Sequence, residues 1–424
     1  MSTVANSYRS IVANLPIFRR RLLTFGLLGM TLIWPVRSVP AETSPVQKAT
    51  AGPATPAISL PVPTPPEPSP LLTALKQELE RSMKRLRLKG YEAPYFISYT
   101  LRDIEEAEVV GKLGAVYGKA RDHRRVLHVE VRVGSYELDN TSAGESDGDA
   151  DLALSLSEVS KDAPLDDNLE ALRGSLWLLT DQKYKAALAS YARKRARGVR
   201  DVEPEDKLPS FSKEKPTKFV GEIPRYDVDL EQMSESVRIA GARLKQAPVL
   251  DGEIKLNADR VSRYFVSSEG AETIEHRTIF AAHLSAEARA KDGMLLSNDR
   301  DFYGRSADQL PTAQVLATAV DGLVRDLSLL QSAPAADPYN GPAILMEEAA
   351  GVFFHETIGH RLEGERQVSE QEGRTFKGQI GQKVLPLFLS VLDDPTLQFV
   401  QGGIPLTGFY RFADEGVPAR PATR

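Results

Sequence analysis

The chain has 424 residues, a net charge of −5 and no cysteine. The acidic balance excludes a dedicated nucleic-acid binder, which would carry a strong basic excess. The missing cysteine excludes disulfides, thiolate nucleophiles, cysteine metal ligands and an acylated lipoprotein anchor within this sequence.

At about 100–200 residues per domain, the length predicts two or three domains. A mean hydropathy of −0.28 excludes a polytopic membrane protein. The chain begins with a targeting pattern. Arg19, Arg20 and Arg21 precede an apolar run from Leu22 to Trp34. That run falls short of the ~20 residues a spanning helix needs but suits a signal-peptide core. Val39 and Ala41 satisfy the small-residue rule at the cleavage point, so residues 1–41 read as a signal peptide and the protein as exported, periplasmic or extracellular. An uncleaved anchor is the competing reading. The paired arginines before Leu22-Leu23 also admit twin-arginine export. Residues 42–70 are Pro-rich and aperiodic, a disordered linker that favours polyproline II.

From there the patterning becomes that of a folded chain. Leu71, Leu75, Leu79 and Met83 recur at helical spacing, with Gly90 as the stop. Tyr95–Thr100 and Val126–Val133 read as strands. Residues 168–198 read as a long helix whose basic end (Arg193, Lys194, Arg195, Arg197) suits the helix dipole. Residues 201–227 read as loop. A helix is expected from Leu230 to Leu244, antiparallel strands at 253–256, 263–266 and 278–284, and a helix from Thr312 to Leu330. Residues 331–342 form a turn-rich hinge. Helices and strands come in blocks, which predicts an α+β fold. Its regions are 71–200 and 201–340, each of helices and antiparallel sheet, then 341–424, the start of a β-rich catalytic domain bearing a metal-motif helix.

One segment carries chemistry. Glu348 to Glu365 (EAAGVFFHETIGHRLEGE) contains His355, Glu356 and His360, so two of the chain's six histidines fall in one HExxxH window. Neutral imidazoles are good zinc ligands, and an adjacent carboxylate can serve as general base towards water. Two structural histidines beside a solvated glutamate would carry the same letters. On an ideal α-helix, positions i and i+5 point about 140° apart and do not share a face. A π-turn, whose natural step is i to i+5, would align them. Gly359 is where that distortion should be cheapest.

This segment resembles the TldD/PmbA family of metallopeptidases. The resemblance continues through Gly378–Val384, Leu392–Leu397 and Asp414–Ala419, in order, and more loosely through residues 91–345. It implies a zinc peptidase in which His355 and His360 bind the metal and Glu356 activates water. It also implies unfolded or short peptides as substrates, and a homo- or heterodimer with a family relative. The acidic balance and the hydropathy lead to the expectation of neither a nucleic-acid partner nor a stable membrane span. The family's third ligand is a cysteine in the C-terminal region, and this chain holds none. It ends at Arg424 soon after the motif, which reads as a C-terminal truncation. Candidate substitute ligands are Glu363 first, then Glu365, His276 and His283, each with a purely structural role as its competing reading. The absent cysteine also supports a second reading, a catalytically inactive homologue retained as a partner subunit or relic. Asp299 and Asp301 read as loop charges, and Asp393-Asp394 as a turn before Pro395.

Overall fold

The computed structural model describes residues 69–141, 161–198, 209–364, 375–399 and 405–423. The signal peptide and nearly all of the linker lie outside them. The first helix, α1 (Pro70–Arg85), starts where Ser69 accepts a hydrogen bond from the Leu72 backbone N–H, with Pro70 at its first position. Both are start signals: the cap satisfies an orphan N–H, and proline has none to lose.

The strands are longer than the sequence suggests. β1 (Pro94–Lys112) and β2 (Ala115–Val133), 19 residues each, form an antiparallel hairpin. Leu113 and Gly114 close it, both at positive φ (49° and 78°), the geometry of a tight primed turn. The hairpin's outer half was not legible as strand because it is dense in charge. The pairing explains how it persists. Asp103 sits directly opposite Arg125, with a 2.8 Å contact, and Glu105 opposite Arg260, again paired. Opposite charges facing each other across strands stabilise the ladder where apolar side chains would otherwise do so.

β3 (Lys161–Ala163) flanks β2. The long helix α2 (Leu169–Gly198) follows. Its basic end is tied down: Lys194 donates to the Thr141 carbonyl at 2.8 Å, and Arg195 lies 3.2 Å from Glu92. A short β4 (Lys218–Val220) lies in the region read as loop. Helix α3 (Leu230–Gly241) is capped by Asp229 and runs into a 3₁₀ turn at Ala242–Lys245. The two strands expected at 253–256 and 263–266 are one, β5 (Asp251–Ser267). β6 (Glu272–Arg289) and β7 (Leu295–Gly304) complete the sheet. Asp299 and Asp301 therefore lie on a strand and not in a loop. Helix α4 (Ala313–Ser332) begins at Thr312, whose side chain accepts from the Val315 N–H.

Among the described residues these strands make one seven-stranded sheet, ordered β3-β2-β1-β5-β6-β4, with β7 also on β6. Only β4 pairs in parallel. Ile97, Tyr99, Leu101 and Val109 share one face of β1, and all four helices cover that face. Helices α1 and α2 pack with Ile97, Tyr99, Leu127 and Val129 into one core. Helices α3 and α4 pack with Val109, Ile254, Leu256 and Leu284 into another.

The opposite face carries Arg102 and Arg263, neighbours in the β1–β5 register. Residues 411–419 dock there. Arg102 reaches Asp414 at 3.1 Å, and Arg263 donates to the Ala413 carbonyl at 3.1 Å and to that of Asp414. Gly416 has φ +75°, and a Cβ there would lie 2.3 Å from the Phe265 ring, so glycine lets this turn approach the sheet. The buried Phe412 packs 5.3 Å from Phe219.

Burial beside Glu130 and Asp414 pushes the Glu415 carboxyl up to about 7 from an ordinary 4.5. The folded chain thus keeps a proton that the unfolded chain releases, and stability should fall as pH rises from about 4.5 to about 7. Glu415→Gln should raise the urea midpoint at pH 8 and leave it unchanged at pH 4. Equal midpoints for the two proteins at pH 8 would contradict this.

Candidate metal centre

Between α4 and the docked residues 411–419, the described residues have little apolar packing. Ile344 and Phe388 are each 90% exposed. Within this stretch α5 (Glu347–Phe354) forms from helix-tolerant Ala349 and Ala350 and apolar Val352, Phe353 and Phe354. The helix does not stop at its last α-turn. It continues as a π-turn over His355–Gly359 and a 3₁₀ turn over His360–Leu362.

The widened turn is what makes a site. The His360 backbone N–H donates to the His355 carbonyl, the i to i−5 bond that defines a π-turn. The extra residue in the turn rotates His360 back over His355, so the two rings lie 4.5 Å apart, edge to face. Glu356 sits between them: Nε2 of each histidine lies 3.9 Å from one of its carboxylate oxygens. Ligand atoms of His355, Glu356 and His360 all fall within 4.8 Å of one another, among the described residues the one such group of three or more His, Asp or Glu. Two nitrogens on one zinc would stand about 3.4 Å apart, given bonds of about 2.0–2.1 Å. The donor set therefore fits a divalent metal after small side-chain rotations. Nitrogen and carboxylate donors suit zinc and its neighbours in the first transition row.

Glu363 ends the 3₁₀ turn in an extended conformation (φ −57°, ψ 130°). This turns its carboxylate back onto His360, with Oε1 2.7 Å from Nδ1. It is not in the three-residue donor group. Its position three residues beyond His360 was visible in the sequence; the reversal of the backbone that aims it was not. The other substitute ligands are elsewhere. His276 Nδ1 lies 2.8 Å from Ser262 Oγ, and His283 Nδ1 lies 2.8 Å from Asp301 Oδ1, both on β6. Glu365 lies outside the described residues. Asp394 accepts from the Thr396 N–H and hydroxyl, as a turn residue does.

Comparison with known proteins bears on the same segment. Residues 338–423 match the model of the PmbA/TldA metallopeptidase C-terminal domain. A metalloprotease of Methanocaldococcus jannaschii is 25% identical over 203 residues, 48% of this chain and 43% of that protein. A metalloprotease TldD homologue of Haemophilus influenzae is 33% identical over 97 residues, 23% of this chain and 18% of that one. The chain thus spans less than half the length of these curated relatives. A solved structure from Bacteroides thetaiotaomicron, described as a candidate modulator of DNA gyrase, superposes with a TM-score of 0.50. It is 11% identical and covers 83% of this chain and 68% of that one, so the likeness concerns the mixed helix and antiparallel-sheet fold.

Gly359 was expected to ease the distortion, yet it adopts ordinary right-handed helix angles (φ −52°, ψ −60°). A Cβ there would meet nothing closer than 3.8 Å. Gly359→Ala should therefore leave zinc affinity within about threefold of the parent's, by competition with a chromophoric chelator. A tenfold loss would mean that the π-turn needs glycine after all.

Proposed function

We propose that this chain, a member of the TldD/PmbA family through its residues 338–423, is an exported zinc-dependent metallopeptidase that hydrolyses unfolded or short peptides. The observation that carries the reading is the π-turn, which brings His355 and His360 to one side with Glu356 between them. A bare HExxxH on a regular α-helix would not do this.

His355 and His360 would hold the metal through Nε2. A bound zinc ion supplies Lewis acidity, lowering the pKa of water and polarising a peptide carbonyl. The chain's own part is proton handling. Glu356, exposed and beside both imidazoles, takes a proton from the attacking water and returns it to the amine nitrogen as the peptide bond breaks.

A catalytic zinc takes three protein ligands and one open position. Two are in hand, and the cysteine that the family resemblance implies has no counterpart in these 424 residues. The second reading is an inactive partner subunit. A dimer with a family relative is part of both readings, supported by Val352, Phe353 and Phe354, all exposed on α5. Export rests on the sequence of residues 19–41. No described helix is long and apolar enough to cross a membrane.

Glu356→Gln should keep zinc and lower cleavage of a dye-labelled unfolded casein by about 10²- to 10⁴-fold. His355→Ala and His360→Ala should each abolish zinc retention. A zinc-loaded parent chain that cleaves no casein would leave the partner reading standing and end the catalytic one.

A further inference from the structure

We infer that Glu363 is the positioning residue of this site: its carboxylate accepts the Nδ1–H of His360 and so reserves Nε2 for the metal. The inference rests on the metal reading above, but its structural half can be tested without metal. A neutral imidazole carries one N–H, and the hydrogen bond made by one nitrogen decides which nitrogen keeps the lone pair. A carboxylate only accepts. With Glu363 Oε1 2.7 Å from Nδ1, the proton belongs on Nδ1, and the lone pair on Nε2.

The geometry puts that lone pair where it is useful. Nε2 is the His360 atom facing Glu356, at 3.9 Å. The two carboxylates therefore lie on opposite nitrogens of one ring, Glu363 holding one side and Glu356 facing the other. This arrangement separates Glu363 from the role of third ligand. A carboxylate engaged on Nδ1 of a ligand ring fixes the ring's angle and raises its basicity, as carboxylates behind metal-bound histidines do. It is not itself a member of the three-residue donor group. The local backbone supports the assignment. The 3₁₀ turn ends at Leu362, and Glu363 leaves the helix in an extended conformation, which folds its side chain back across His360.

Three chains decide it: the parent, Glu363→Ala and Glu363→Gln. Glu363→Ala should weaken zinc and cobalt affinity by about tenfold to a hundredfold. Glu363→Gln, whose amide oxygen can accept the same N–H, should recover most of that loss. The visible absorption of the cobalt-loaded chains should be alike in position and intensity, because the ligand count does not change. In the metal-free parent, long-range ¹H–¹⁵N spectra should show His360 as the Nδ1–H tautomer, and Glu363→Ala should shift it towards Nε2–H. Unchanged affinity in Glu363→Ala, an Nε2–H tautomer in the parent, or cobalt spectra showing a lost ligand would each overturn the inference. If the parent binds no metal, the zinc reading fails, and the tautomer still decides whether Glu363 orients the ring.

Discussion

The pairing of β1 with β5 holds the remaining parts in place. It joins residues 98–111 to residues 254–267 in one unbroken antiparallel register. Through it, the β1–β2 hairpin and the β5–β6–β7 meander become one sheet. A slip of one residue would exchange the two faces of β5. Ile254, Leu256 and Ala258 would leave the helices, and Arg263 would leave the face on which residues 411–419 dock. The register is therefore enforced from both sides, by two apolar cores on one and by guanidinium contacts on the other.

That second face is where distant sequence meets. Arg102 and Arg263 come from strands far apart in the chain, and both hold the Ala413-Asp414 backbone or carboxylate. A buried guanidinium needs acceptors, and a loop's carbonyls need donors. The Ala413 and Asp414 carbonyls accept from one amino group of Arg263, and Glu275 accepts from the other. The segment matched by the family model is thus anchored to the sheet at its far end, while its near end, with the metal-motif helix, stays open to solvent. Within one matched stretch, packing differs sharply between Phe412, which is buried, and Phe388, which is 90% exposed.

The metal-motif helix shows how a short local deviation can create a site. In a regular α-helix the two histidines would diverge. One additional residue in the turn brings their rings to 4.5 Å and sets Glu356 between them. The turn then tightens to 3₁₀ and releases Glu363 in an extended conformation, which returns its carboxylate to His360. Two successive changes of helical pitch and an extended exit thus place four side chains together. π-Turns recur at functional sites because they reorient side chains that an α-helix would keep apart.

The sequence by itself determined the helices, the cores of several strands and the spacing of the HExxxH residues. Each is written in short-range terms: apolar spacing along α1 and α4, alternation over Val126–Val133, and an i to i+5 histidine step that no regular α-helix can use. It did not reveal the outer half of the β1–β2 hairpin or β7. Their strands are charged, and a charged strand gains from an opposite charge facing it, as Asp103 faces Arg125. That condition depends on partners distant in sequence. For the same reason only the tertiary structure decided that Asp414 meets Arg102 across 312 positions. Likewise it placed Glu363 on a histidine nitrogen, where the reading from spacing alone had offered it as a metal ligand. Periodicity reports which face a residue occupies, and only the folded backbone reports what stands opposite it.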